Sequence, residues 1–292
     1  MRRRGSKRYN QRTMTQHRRT QLNKARNARK ATNGAVHVTS DVNSLMIAPS
    51  KGRQTIALAM TTAGRGETAP VKRAVRSVRK AGFTQDIHMF AEPEALSDED
   101  FVTLDKNLSV HRNISTMGCF GNWKTTAAWM AENTTEDWIM IMQDDLMWGP
   151  SAAATMQHAV DVFDPATTGV LSPYTSPAMV PDRARKLRGC WVRSIKRNYW
   201  GALAFCFPRQ SLEYLLGSPV FTSHRSSRQV DVVVGRVYYE SSDKRWPIIH
   251  LPSIGQHIGA VSTIGRDKNP ASRWGRCGFG FNLEYRAGNI PV

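Results

Sequence analysis

The chain has 292 residues, 40% hydrophobic and 9% aromatic, which suits one large domain, or one of about 240 residues with an appendage, and excludes two ordinary domains. A formal net charge of +18 is extreme for this size and points toward an anionic partner. No run approaches the roughly 20 apolar residues that cross a bilayer, and four scattered cysteines without a CxxC pair exclude a zinc knuckle or a dense disulfide framework.

Residues 1–54 come first and read as a basic, flexible tail and linker. Twelve of the 41 Lys and Arg lie within residues 1–30, and the first acid is Asp41, so the rest of the chain holds 29 cations against 23 acids. Such a segment has too little apolar surface to offset the entropy of ordering itself. The start lacks the apolar core of a secretory signal, so a cytoplasmic protein is expected, with a transit peptide or a nuclear localisation run as the alternative.

From residue 55 to 292 the pattern is that of one α/β domain. Thr55–Thr62 reads as a buried strand. Ala69–Ala81 reads as a helix with Val71, Val75 and Val78 on one face and cations on the other, ended by Gly82. Asp86–Glu92 and Leu108–Arg112 read as further strands, and Asn122–Glu132 as a helix. Trp138–Met142 is a wholly apolar run stopped by Gln143, Asp144 and Asp145, as expected of a central strand buried on both faces. Strands alternating with helices imply a mostly parallel sheet, whose ligands gather beyond the carboxyl ends of the strands. Asp144 and Asp145 stand there.

A carboxylate pair at a strand end can hold a Mg²⁺ or Mn²⁺ ion that neutralises a diphosphate, or can simply be solvated or cap a helix. A second segment joins it near the C-terminus, Pro252–Gly259 (PSIGQHIG). Together, MQDDL at 142–146, the stretch Tyr199–Leu216, QVDVVV at 229–234 and PSIGQHIG resemble, in order, the branching N-acetylglucosaminyltransferases of complex N-glycans and related GT-A enzymes. The resemblance implies a Rossmann-like GT-A fold and sugar transfer from a nucleotide diphosphate donor, with a uridine diphosphate sugar the commonest case. It also implies metal ligation by Asp145 and His257, a donor ribose held by Asp144, and a catalytic base at Asp231. Gln143 departs from the pattern, which has an acid there. Turn capping is the other reading of His257, and helix capping that of Asp231.

Thr61, Thr62 and Arg65 follow the first strand and Glu92 the second, where a nucleotide is gripped in such folds. Asn122, Lys124 and Gln143 join them as donor-side candidates, with Ser262 and Thr263 as candidate phosphate ligands. Trp123, beside Asn122, reads more readily as core. Residues 183–197 carry seven cations and no acid. Trp191, Arg193, Lys196, Arg197 and Trp200 are therefore the acceptor-side candidates, and a solvated face is the other reading of that run. A basic rim with aromatics suits a polyanion, so the expected acceptor is a hydroxymethylated pyrimidine base in DNA, as in viral base-modifying enzymes, extruded from its duplex. A glycan, lipid-linked sugar or protein acceptor is the rival expectation, and a non-catalytic basic protein on a decayed GT-A fold is the other.

Overall fold

The structure is a computed structural model; it describes residues 52–64, 69–176, 179–180, 184, 186–194, 201–224, 229–240 and 245–258. The basic run at the start, Arg65, Lys196, Arg197, Trp200, Ser262 and Thr263 lie outside the described residues.

An eight-stranded sheet forms the middle layer, in the order β3-β2-β1-β4-β8-β6-β9-β7. Its strands are β1 (Ile56–Thr62), β2 (Ile87–Ala91), β3 (Leu108–Arg112), β4 (Trp138–Gln143), β6 (Thr168–Ser172), β7 (Cys190–Arg193), β8 (Ala204–Pro208) and β9 (Trp246–Leu251). Strands β1 to β4 are mutually parallel, β8 is antiparallel to both β4 and β6, β9 is parallel to β6, and β7 is antiparallel to β9. Six strands therefore share one direction, and β7 and β8 oppose them. The carboxyl ends of β1, β2, β4, β6 and β9 open on the same edge as the amino end of β8. That edge is the mouth of the sheet.

Alternation along the central strands feeds two cores. Leu58 and Met60 of β1 and Trp138, Met140 and Met142 of β4 face one side, where α1 (Ala69–Lys80) and α4 (Ala152–Val162) pack. Ala57, Ala59, Ile139 and Ile141 face the other, covered by α3 (Gly118–Asn133), α5 (Arg209–Gly217), α6 (Pro219–Thr222) and α7 (Val230–Glu240). Burying side chains of this size contributes about 1.5–3 kcal/mol each, which is why both faces of β4 are apolar along its length. Trp123 lies in the second core, 1% exposed, edge-on to Phe205, Phe207 and Phe221.

The helix expected from Ala69 ends at Lys80, with Gly82 at φ +94° terminating it and Val71, Val75 and Val78 buried as the pattern implies. The helix expected from Asn122 begins four residues earlier, because Phe120 joins Trp123 in the core and draws Gly118 and Gly121 into the first turn. A short helix, α2 (Asp98–Leu104), precedes β3; Ser97 Oγ accepts from Asp100 N at 3.2 Å, and three acids occupy the first turn.

The end of the sheet away from the mouth is tied by Arg79. Its guanidinium donates to both Asp105 carboxylate oxygens, at 2.6 and 3.1 Å, and to the carbonyls of Phe83, Gln85 and Asn107. These bonds hold the Asp105 carboxyl below the usual carboxylate range. Arg79→Met is expected to cost about 2 kcal/mol in urea unfolding at neutral pH. A carboxyl with a depressed folded pKa stabilises above its unfolded value and loses that contribution as pH falls through the folded one. The penalty of Asp105→Asn should accordingly fade as pH drops below about 4.

Candidate active site

Strand β4 ends at Gln143, and the backbone that follows is pinned from both neighbours. Gln143 N donates to Leu203 O at 2.9 Å, just ahead of β8, and Asp144 N donates to Thr61 O at 3.1 Å on β1. The sheet thus delivers Asp144 and Asp145 to its mouth, 3% and 5% exposed. Thr62 Oγ donates to Asp144 Oδ2 at 2.6 Å, so Thr62 orients that carboxylate.

A second, two-stranded sheet carries the rest of the metal-type donor set. Strand β5 (Leu146–Trp148) follows directly on Asp145 and pairs antiparallel with β10 (Gly255–His257), in the register Gly255–Trp148, Gln256–Met147 and His257–Leu146. Flanking bonds extend the pairing: Ile258 N to Asp145 O at 2.8 Å and Gly149 N to Ile254 O at 2.9 Å. This register sets His257 Nε2 3.0 Å from Asp145 Oδ2 across 112 residues of chain. Two ligands about 2.1 Å from one ion and at right angles around it are about 3.0 Å apart. One carboxylate oxygen and one imidazole nitrogen are suitable donors for Mn²⁺. Among the described residues no group of three His, Cys, Asp or Glu is gathered that could hold a metal ion by itself.

The turn into β10 is built by side chains around it. Ser253 Oγ accepts from Thr175 N at 3.1 Å and donates to Gly255 O at 2.7 Å, and Thr175 Oγ donates to His250 O at 3.0 Å. Burial lowers the His250 pKa to about 4, leaving a neutral ring whose Nδ1 lies 2.5 Å from Pro252 O. At Gly255 the chain runs against Leu146: a Cβ there would sit 2.8 Å from Leu146 Cδ1.

Asp231 lies in the first turn of α7. Its Oδ2 accepts from Gly201 N at 2.9 Å and its Oδ1 from Val232 N at 2.9 Å. The residue is partly exposed while its carboxyl group is turned inward, and burial raises its pKa above the ordinary Asp value. Gly201 stands two residues before Leu203, the partner of Gln143, so the short segment 201–203 links Asp231 to the Asp144–Asp145 corner. Each carboxylate oxygen accepts one bond and keeps a lone pair for a further donor.

Glu92, just past β2, is 3% exposed. Its Oε2 accepts from Met117 N at 2.9 Å, at the start of α3, while Oε1 is buried without a hydrogen-bond partner among the described residues. The other sequence candidates divide. Asn122 gives its amide hydrogens to Thr62 O and Phe90 O, at 3.3 and 3.2 Å, and accepts from Asn113, which makes it a clamp on the strand ends. Thr61 Oγ donates weakly to Met142 O at 3.5 Å, and Gln143 Nε2 lies 3.9 Å from Cys119 Sγ. Lys124 extends over the Phe221 ring of α6. Trp191, on edge strand β7, packs edge-on against His250 and Phe163, and Arg193 lies over Trp246. Both lie on the edge strand of the sheet, Trp191 half-buried and Arg193 exposed. No motif signals Gly201, Thr175 or Ser77, whose Oγ accepts from Trp148 N of β5 at 3.1 Å; only a Trp-Gly step ahead of an apolar run hints at the first.

No family model matches the sequence, and no characterised protein does either. Solved structures do match in shape. Mannosyltransferase PcManGT from Pyrobaculum calidifontis, in complex with GDP-Man and Mn²⁺, superposes with a TM-score of 0.50 at 13% identity over 75% of this chain and 61% of its own. GalNAc-T7 with UDP, GalNAc and Mn²⁺ superposes with a TM-score of 0.53 at 12% identity over 72% of this chain and 45% of its own. The chain has a GT-A-like fold. It spans less than two thirds of the length of either structure.

Within this GT-A-like frame the closeness of Gly255 to Leu146 is testable. Gly255→Val should cost about 1–3 kcal/mol in urea unfolding. Leu146→Ala in the same chain should recover part of that loss, giving a non-additive double-mutant cycle.

Proposed function

We propose that the protein is a nucleotide-sugar glycosyltransferase that uses Mn²⁺ or Mg²⁺ and inverts the configuration of the transferred sugar. The juxtaposition of His257 and Asp145 at 3.0 Å carries this reading. These are the two side chains that would hold the ion, which when bound neutralises charge on the donor diphosphate and on the leaving phosphate. Solved structures of similar shape contain nucleotides and Mn²⁺, which supports the same reading.

Asp144, oriented by Thr62, is the proposed ribose ligand. Glu92 is the proposed contact to base or ribose, since a buried acceptor without a donor costs about 1–3 kcal/mol and a nucleoside hydroxyl or imide N–H would relieve it. Asp231 is the proposed general base. It takes the proton of the acceptor hydroxyl as that oxygen bonds to the anomeric carbon, and the bond from that carbon to the phosphate oxygen breaks, releasing the nucleoside diphosphate. The raised pKa of Asp231 favours proton acceptance. For the acceptor we propose a hydroxymethylated pyrimidine in DNA, on the charge of +18 and the seven cations of residues 183–197. Mass analysis of nucleosides from DNA of cells expressing the protein tests that acceptor; unmodified DNA despite active donor turnover would exclude it.

The donor site is tested by thermal shift with a panel of nucleotide sugars, with and without Mn²⁺. Wild type should be stabilised by one donor only when the ion is added, and Asp145→Ala and His257→Ala should each abolish that gain. Asp231→Asn should keep the thermal shift but lose at least about 100-fold in kcat. Because the base must be ionised, wild-type kcat/KM should fall as pH drops through a value above the ordinary Asp pKa of about 4. A wild-type rate in Asp231→Asn would remove it as the base.

A further inference from the structure

Helix α1 carries five cations in twelve residues, Lys72, Arg73, Arg76, Arg79 and Lys80, and no acid. Two of these are occupied: Arg79 with Asp105, and Lys72 with Asp100 at 3.9 Å. Arg73, Arg76 and Lys80 are exposed and make no hydrogen bond or ion pair among the described residues. Their spacing of three and four residues aligns them on one side of the helix, over about 10 Å of axis. Like charges at that spacing disfavour the helix, and of the three only Lys80, in the last turn, is favoured by the helix dipole. Several other cations of the described chain do have partners, as in Arg112 with Asp98, Arg236 with Glu240, and Arg209 with the carbonyls of Ala131 and Glu136.

The helix is also fixed to the candidate site. Ser77 Oγ accepts from Trp148 N at 3.1 Å, and Trp148 belongs to β5, the strand paired with the one bearing His257. The amino end of α1 follows the mouth end of β1, so the cationic line starts on the mouth side and runs away from it along the outside of the molecule. We infer that Arg73, Arg76 and Lys80 form a docking line for the phosphodiester backbone of DNA. A membrane surface fits less well. Val71, Val75 and Val78 are all turned into the core, so beside the half-buried Pro70 the outer face has no large apolar side chain to enter a lipid interface. The inference is independent of donor chemistry and would stand if the acceptor were not DNA.

The test uses the full chain and a fluorescent DNA duplex of random sequence, titrated from about 50 to about 200 mM salt. Every cation that no longer meets a phosphate takes about 0.9 from the slope of log affinity against log salt, so Arg73→Gln/Arg76→Gln/Lys80→Gln should flatten it by about 2 to 3. Across that salt range the affinity of the wild type should then drop by a factor roughly 40 times larger than that of the variant. Arg73→Lys/Arg76→Lys, which keeps the charge, should retain the wild-type slope and thereby exclude a folding defect in that helix. The thermal shift by nucleotide sugar and Mn²⁺ should be unchanged in both variants, which separates this inference from the donor-site reading. An unaltered slope in the triple variant would overturn it. So would loss of binding to phosphatidylserine vesicles with duplex binding intact, the outcome expected of a membrane-facing helix.

Discussion

The antiparallel pairing of β5 with β10 is the constraint on which the candidate site depends. It joins a strand that leaves the end of β4 to one that leaves the end of β9, two elements more than 100 residues apart in the chain. A slip of one residue in this register would turn His257 to the opposite face and separate it from Asp145. Two three-residue strands are marginal by themselves. Their stability is borrowed from neighbours: Ser77 on α1 receives Trp148 N, Ser253 bridges Thr175 and Gly255, and Leu146 fills the space left by the missing side chain of Gly255. The His257–Asp145 pair is thus positioned by backbone pairing and packing and needs no long side chain to search for its partner.

The same edge of the sheet separates two kinds of carboxylate. Asp144 accepts from a hydroxyl and Asp145 stands beside an imidazole. Asp231 is desolvated, and burial outweighs the backbone donors that reach its carboxyl, so its proton affinity rises. Carboxylates whose environments differ in this way can serve different tasks in one site. The segment 201–203 carries the spatial relation between them, because Leu203 O receives Gln143 N and Gly201 N reaches Asp231.

The strands nearest the centre are legible in sequence because they admit one reading. TIALAMTT and WIMIM are apolar on both faces, and β1, β3 and β4 lie within a residue of their expected limits. Helix α1 is legible from its valine spacing and Gly82. Helix α2 is not, although Ser97 followed by Asp98, Glu99 and Asp100 is a start signal, because a seven-residue helix with one buried residue, Phe101, has almost no periodicity. Resemblance singles out Asp145 and His257, but what brings them together is a pairing register, and register is a property of two distant strands that no local window contains. Asn122, Lys124, Trp191 and Arg193 have contacts in the fold that sequence does not show, for the complementary reason. Polar or cationic side chains near a glycine or in a basic run look available in sequence, and only the fold shows an amide spent on Thr62 and Phe90 or a cation lying on a ring.

Charge is distributed in opposite senses inside and outside. The chain is +18 overall, yet Glu92, Asp144, Asp145 and the carboxyl of Asp231 are gathered around one edge of its sheet. A cationic exterior raises the local concentration of polyanions and speeds their approach, and the effect fades with salt. An acidic mouth does the reverse at short range, where burial strengthens every charge–charge term. A diphosphate entering that mouth meets like charge at each step unless a cation is shared between it and the carboxylates. On the proposed reading, donor binding is conditional on an ion and acceptor capture is left to the surface. The two steps should respond to different variables, divalent metal for the first and monovalent salt for the second, because they draw on charges of opposite sign at different depths in the fold.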